Sequence, residues 1–143
     1  MVETIAIAAD HAGYDLKLLL VPELKSLGFE VMDLGTDSRE PVDYPDFADA
    51  LARAIERGDV MRGVLVCGTG LGIAIAANRH RRVRAGVCHD ATTARLARQH
   101  NDANVLALGA RVVGSDVAKD CLRAFLATDF DGGRHAQRVT KLS

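Results

Sequence analysis

Short, continuously apolar runs alternate along this chain with longer stretches in which apolar residues recur every three or four positions. The run Thr4–Ala9 predicts a buried strand, because a strand covered on both faces needs no polar alternation. Leu16, Leu19, Leu20, Leu24 and Leu27 then mark one face of a helix, and Gly28 suits its C-terminal end. Pro22 falls inside that stretch and predicts a bend or a shortened helix. The pattern continues with a strand over 30–34, a loop over 35–44 and a helix over 46–57 stopped by Gly58. Further strands are expected over 63–67, 84–88 and 104–108, and further helices over 71–79, 91–99, 116–126 and 132–141.

Strand and helix therefore alternate, and each strand reads as buried on both faces. This predicts an α/β fold: a doubly wound, Rossmann-like three-layer sandwich with a five-stranded parallel sheet and a C-terminal helix. A length of 143 residues predicts a single domain over 1–143. In such sheets the ligand sits at the carboxyl ends of the strands. Polar residues do follow strands directly: Asp10 and His11 the first, Cys67 and Gly68-Thr69-Gly70-Leu71-Gly72 the third, His89 and Asp90 the fourth, and Gly109-Ala110-Arg111 the fifth. His100-Asn101-Asp102 lies between a helix and the fifth strand.

Composition removes several function classes. A net charge of -1 and 4% aromatics, with no tryptophan, give no footprint for nucleic acid or base stacking. No apolar stretch approaches a membrane span of about 18 residues. The amino terminus runs straight into the first strand without a charged leader, so no export signal is expected. Cys67, Cys88 and Cys121 are far apart and form no zinc-like spacing, which predicts reduced thiols in a cytoplasmic protein and no metal site.

The glycine loop over 68–72 can turn backbone N–H groups inward beside a helix start and cradle an anion. It also suits a plain tight turn. It is neither a dinucleotide fingerprint, since Ile73 stands where a glycine is needed, nor a phosphate-binding Gly-Lys-Ser/Thr loop. Cys67 beside that helix start reads either as a reactive thiolate or as a small buried hydrophobe. Cys88 and Cys121 read as buried hydrophobes. Asp10-His11 and His100 read equally as helix-end residues or as chemistry. Arg134 and Arg138, four apart, share a helix face and suit phosphate oxygens or plain solvation. The cluster Arg79-His80-Arg81-Arg82 with Arg84 reads as a solvated basic surface.

These residues resemble the ribose-5-phosphate isomerase B family, which includes the galactose-6-phosphate isomerase subunits. The matching stretches are Ala8-Ala9-Asp10-His11-Ala12-Gly13, Val42-Asp43-Tyr44-Pro45, Cys67-Gly68-Thr69-Gly70-Leu71-Gly72 with Ala76-Ala77-Asn78, His100-Asn101-Asp102-Ala103-Asn104, Leu108-Gly109-Ala110-Arg111 and Gly132-Gly133-Arg134-His135. The resemblance implies a cofactor-independent aldose–ketose isomerase, with Cys67 as base and His100 as ring-opening acid. It implies sugar or phosphate contacts from Asp10, His11, Tyr44, Gly68, Thr69, Gly70, Leu71, Gly72, Asn101, Arg111, Arg134, His135 and Arg138. Some members use a glutamate early in the following helix; Ile73 stands there, so the chain resembles the cysteine type. A homodimer or dimer of dimers with shared active sites is also implied. Ribose 5-phosphate is the expected substrate, with a four- or six-carbon phosphosugar, such as allose or galactose 6-phosphate, as the alternative. A phosphosugar- or nucleotide-binding module without turnover is the remaining reading.

The chemistry points the same way. Ring opening needs a proton donor and an acceptor, roles that His100 and Asp10 can fill. Moving a proton between C2 and C1 needs one base facing both carbons. The enediolate needs fixed donors, and the phosphate needs remote cations.

Overall fold

Each of the five runs expected to be a strand forms one. The computed structural model describes residues 1–143. Strands β1 (Thr4–Ala9), β2 (Glu30–Asp33), β3 (Arg62–Cys67), β4 (Ala85–Val87) and β5 (Val105–Gly109) form one sheet in the order β2-β1-β3-β5-β4. All neighbouring strands are parallel. Helices α1 (Tyr14–Ser26), α2 (Tyr44–Glu56), α3 (Leu71–Ala77), α4 (Ala91–Asn101), α5 (Ser115–Ala127) and α6 (Arg134–Thr140) complete the chain. The architecture is the expected doubly wound α/β sandwich with a C-terminal helix.

The two sheet faces bury different partners. Ile5, Ile7 and Ala9 pack with Leu20, Leu24, Leu122 and Phe125 on the side of α1, α4 and α5. Ala6 and Ala8 point the other way, to Leu51, Ile55 and Ile73 on α2 and α3. Each fully buried Leu, Ile or Phe contributes about 1.5–3 kcal/mol, so the double cover holds the strand ends firmly in register. The side chain of Cys67 belongs to the α2–α3 side.

Three local expectations change. Pro22 does not shorten α1, which continues to Ser26. The hydrogen bond lost at Pro22 would have gone to the carbonyl of Leu18; Pro22 and the half-exposed Leu18 face solvent, where water replaces that bond. Helix α2 begins at Tyr44 rather than two residues later, with Asp43 at its N-cap and Pro45 in its first turn, where a missing N–H costs nothing. Helix α4 runs on through Asn101, so His100 and Asn101 close a helix instead of lying in a loop. Asp102 stops it in the left-handed region at φ 46°. No helix is long and apolar enough to cross a membrane.

Candidate active site

Cys67 ends β3 and is 4% exposed. Its Sγ accepts the N–H of Gly70 at 3.1 Å. Gly70 has φ +81°, a conformation open to glycine and strained for other residues. The Leu71 N–H goes to Thr69 Oγ1 at 3.2 Å. The N–H groups of Gly68 and Thr69 have no partner within the chain. The end of β5 is strapped to this loop: Ala110 N–H donates to the Cys67 carbonyl and Arg111 N–H to that of Gly68, both at 2.9 Å. The approach requires Gly109, where a Cβ would stand 2.6 Å from the Thr69 backbone.

Four neighbours complete this patch. Asp10 is buried, and its Oδ1 accepts the Gly13 N–H at 3.0 Å. His11 Nδ1 accepts the Val42 N–H at 3.1 Å, so the neutral ring carries its proton on Nε2. The Arg111 guanidinium lies over Gly68, and the Tyr44 ring packs on Gly72. Asp10, His11, Tyr44, Cys67, Gly68, Thr69, Gly72 and Arg111 thus line one cavity of about 290 Å³.

The remaining expected residues gather elsewhere. His100, in the last turn of α4, stacks on His135 of α6, with ring centroids 4.4 Å apart and planes 14° from parallel. His100, Asn101, His135 and Arg138 line a second cavity of about 260 Å³. Arg134 and Arg138 sit one turn apart on α6, both exposed. Desolvation first, then the nearby His100, Arg134 and Arg138, hold the His135 imidazolium below its ordinary range.

The two patches lie at opposite edges of the sheet. Cys67 is level with Gly109 at the carboxyl end of β5, whereas Val105 opens that strand beside Gly63. At about 3.3 Å per residue the start of β5 lies roughly 13 Å from the level of Cys67. His100 precedes even that start, on the turn from α4 into β5. Within one chain, Cys67 and His100 do not meet; neither do Asp10 and His100.

Other sequence candidates take structural places. Asp90 is the N-cap of α4 in a reciprocal pair with Thr93, whose N–H and hydroxyl hold its carboxyl below the usual range. Cys88 and Cys121 are buried, and burial pushes both thiols up to about 11. His80 leaves the basic cluster to bridge Glu56 and Asp49. Arg81, Arg82 and Arg84 border a larger cleft of about 850 Å³ that contains none of the expected site residues. No group of three or more His, Cys, Asp or Glu gathers where it could hold a metal. Two buried cations belong to no motif in the sequence: Lys17, paired with Asp33 at 2.8 Å, and Arg98. Their only signal was a charge at a position the helical period turns inward.

A sequence model of the Ribose/Galactose Isomerase family matches residues 5–142. Ribose-5-phosphate isomerase B of Escherichia coli (strain K12) is 49% identical over 139 residues, 97% of this chain and 93% of that protein. D-erythrulose-4-phosphate isomerase of Pectobacterium atrosepticum is 45% identical over 141 residues, 97% of this chain and 92% of that protein. The structure of ribose-5-phosphate isomerase B from Clostridium thermocellum superposes with a TM-score of 0.96 at 52% identity, covering 97% of this chain and 94% of that one. The chain belongs to the Ribose/Galactose Isomerase family. It is an enzyme, an isomerase of the type B class.

Proposed function

We propose that the chain interconverts ribose 5-phosphate and ribulose 5-phosphate through an enediolate, without metal or cofactor, as a single cytoplasmic domain over 1–143. The observation that carries this reading is the division of the site. One patch holds the thiol and unpaired amides; the other holds the acid and most of the cations. Each lacks what the other supplies, so a site that works is built from two copies of the chain, in a homodimer or dimer of dimers. Exposed apolar side chains border both halves and suit burial between copies: Tyr44, Leu71 and Val112 near the first, Leu142 beside the second.

In that site His100 of one copy protonates the ring oxygen while Asp10 of the other accepts the proton of the anomeric hydroxyl. The Cys67 thiolate then takes the proton from C2, the hydroxyl proton on O2 passes to O1 across the enediolate, and the thiol returns its proton to C1. The N–H groups of Gly68 and Thr69 hold the enediolate oxygens, where fixed donors count most. The Gly70 N–H keeps the sulfur aimed and is not free to serve the substrate, and the Leu71 N–H is likewise engaged. Arg111, the Nε2–H of His11, and Arg134 and Arg138 of the second copy fix the phosphate and hydroxyls. Tyr44, Leu71 and Gly72 shape the wall, and Asn101 and His135 border the opposite side.

A four-carbon substrate is the second reading, favoured by the likeness to D-erythrulose-4-phosphate isomerase. Assay of the purified chain on four-, five- and six-carbon phosphosugars separates the two. Ribose 5-phosphate should give the highest kcat/KM, with chelator present throughout. A higher value on another phosphosugar would replace the substrate, and no turnover on any would leave a binding module.

A further inference from the structure

We propose that Arg98 is a positioning residue for the isomerisation: it fixes the turn that carries His100 against the linker that carries α6. Arg98 is 9% exposed, in the penultimate position before His100 on α4. Its Nε–H donates to the Thr128 carbonyl at 3.0 Å. Its Nη1 donates to Asp102 Oδ1 at 2.9 Å and to the Ala103 carbonyl at 2.7 Å. The guanidinium also lies over the Phe125 ring, 5.7 Å from the centroid.

These partners belong to two separate pieces of chain. Asp102 and Ala103 form the turn that ends α4, one residue after Asn101. Thr128 ends α5 and starts the linker to α6, which bears Arg134, His135 and Arg138. One planar cation therefore joins the support of His100 to the support of its stacking partner. The turn it holds is a demanding one, since Asp102 takes a left-handed conformation without being glycine. Arg84 grips the same residue from the other side, through the Asp102 carbonyl at 2.9 Å and its carboxylate at 3.3 Å. The one backbone bond between the linker and α4 is Asp131 N–H to the Gln99 carbonyl at 3.1 Å. Without Arg98, that bond is the one remaining hydrogen bond between the linker and α4. A lysine cannot replace the fork, because a single ammonium on a flexible stem lacks its planar donor geometry.

The inference rests on the reading of His100 as ring-opening acid only for the reaction step it affects; the geometric claim stands without it. The test is Arg98→Lys in the full chain, checked for fold by circular dichroism and followed by two readouts. The first is the imidazole proton resonances of His100 and His135, which the stack shifts by ring current. They should move toward unstacked values while those of His11 and His80 stay. The second is kcat/KM in wild-type and His100→Asn backgrounds. A displaced catalytic group costs up to about a hundredfold, so a loss of that order is expected in the wild type and a clearly smaller one, from the displaced α6 arginines alone, once His100 is gone. Unchanged resonances overturn the proposal, as does an equal activity loss in both backgrounds. If the resonances move but cyclic and acyclic phosphosugars lose activity alike, Arg98 positions His100 as proposed and the ring-opening role fails instead. Should Arg98→Lys fail to fold, a second variant breaks the same anchor at its other end. Asp102→Gly, which keeps the left-handed turn and removes the carboxylate that Arg98 holds, should move the same two resonances, and their constancy would overturn the proposal.

Discussion

Around Cys67 the chemistry is presented by backbone; around His100 it is presented by side chains. The first region is a glycine loop whose amides are aimed by a strand end, a left-handed glycine and the strap from β5. The second is two helix ends carrying two imidazoles and two exposed arginines. The division matches the tasks. Moving a carbon-bound proton needs a base and oxyanion donors fixed to a fraction of an ångström, which a buried sheet edge provides. Holding a phosphate and opening a ring, the tasks proposed for the second region, need long or titratable groups with reach, which helix ends provide. The comparison predicts rigid, substitution-intolerant geometry in the first region and functional but structurally tolerant residues in the second.

The largest effect should come from the proposed base. Cys67→Ala should lower kcat by roughly 10²–10⁴-fold while phosphosugar still binds, measured by kinetics and calorimetry. Cys88→Ala and Cys121→Ala should leave kcat within about twofold, because both thiols are buried, protonated at neutral pH and remote from either cavity. A Cys67→Ala enzyme keeping a tenth of its kcat would remove the thiol from the first region's chemistry.

His100→Asn should show the second region's separate task. Its loss of kcat/KM should be large on cyclic ribose 5-phosphate and several-fold smaller on a phosphosugar too short to close a ring. Equal losses would mean that both regions serve the same proton transfer.

Gly109→Ala tests how rigid the first region is. The added methyl meets Thr69 backbone rather than a movable side chain, so overpacking should cost about 1–3 kcal/mol by chemical denaturation. Arg134→Ala, on an exposed face, should unfold at nearly the wild-type denaturant concentration yet lose phosphosugar affinity. Equal stability of the two variants would break the contrast between backbone-built and side-chain-built halves.

The smallest effect is in pH. His80 is held above its ordinary value of 6.5 chiefly by Asp49, with burial opposing and Glu56 assisting. It joins the turn after α3 to α2. Its stabilisation is full below pH 6.5 and fades as pH rises through its raised folded value. His135 is shifted down, so its contribution is full above pH 6.5 and falls as pH drops toward its lowered folded value. Melting temperature against pH should therefore lose its acid-side gain in His80→Gln and its acid-side loss in His135→Gln. Parallel curves for both variants and wild type would contradict the opposite signs.

Much of the fold was legible because strands buried on both faces are written as unbroken apolar runs, and glycines punctuate them. Helix ends were less legible: α4 passes its expected end because Asp102 takes the left-handed place usually given to glycine. The first region could be read from the rule that ligands gather after strands. The same alternation also placed His100 before β5, at the other edge, so the division of the site was implicit in the order of elements. What the sequence could not display were groups defined by folding alone. The Val42 amide that sets the His11 tautomer is one, and the carbonyls gathered on Arg98 are another.

The shared site is tested most directly by mixing two inactive chains, Cys67→Ala and Arg134→Ala, unfolding them together and refolding. If each working site takes Cys67 from one copy and Arg134 from the other, about half of the dimers are mixed and each holds one intact site, so about a quarter of wild-type activity should return. Activity that stays at the level of the separate mutants would show that Cys67 and Arg134 act within one chain, and the two-copy site would be wrong.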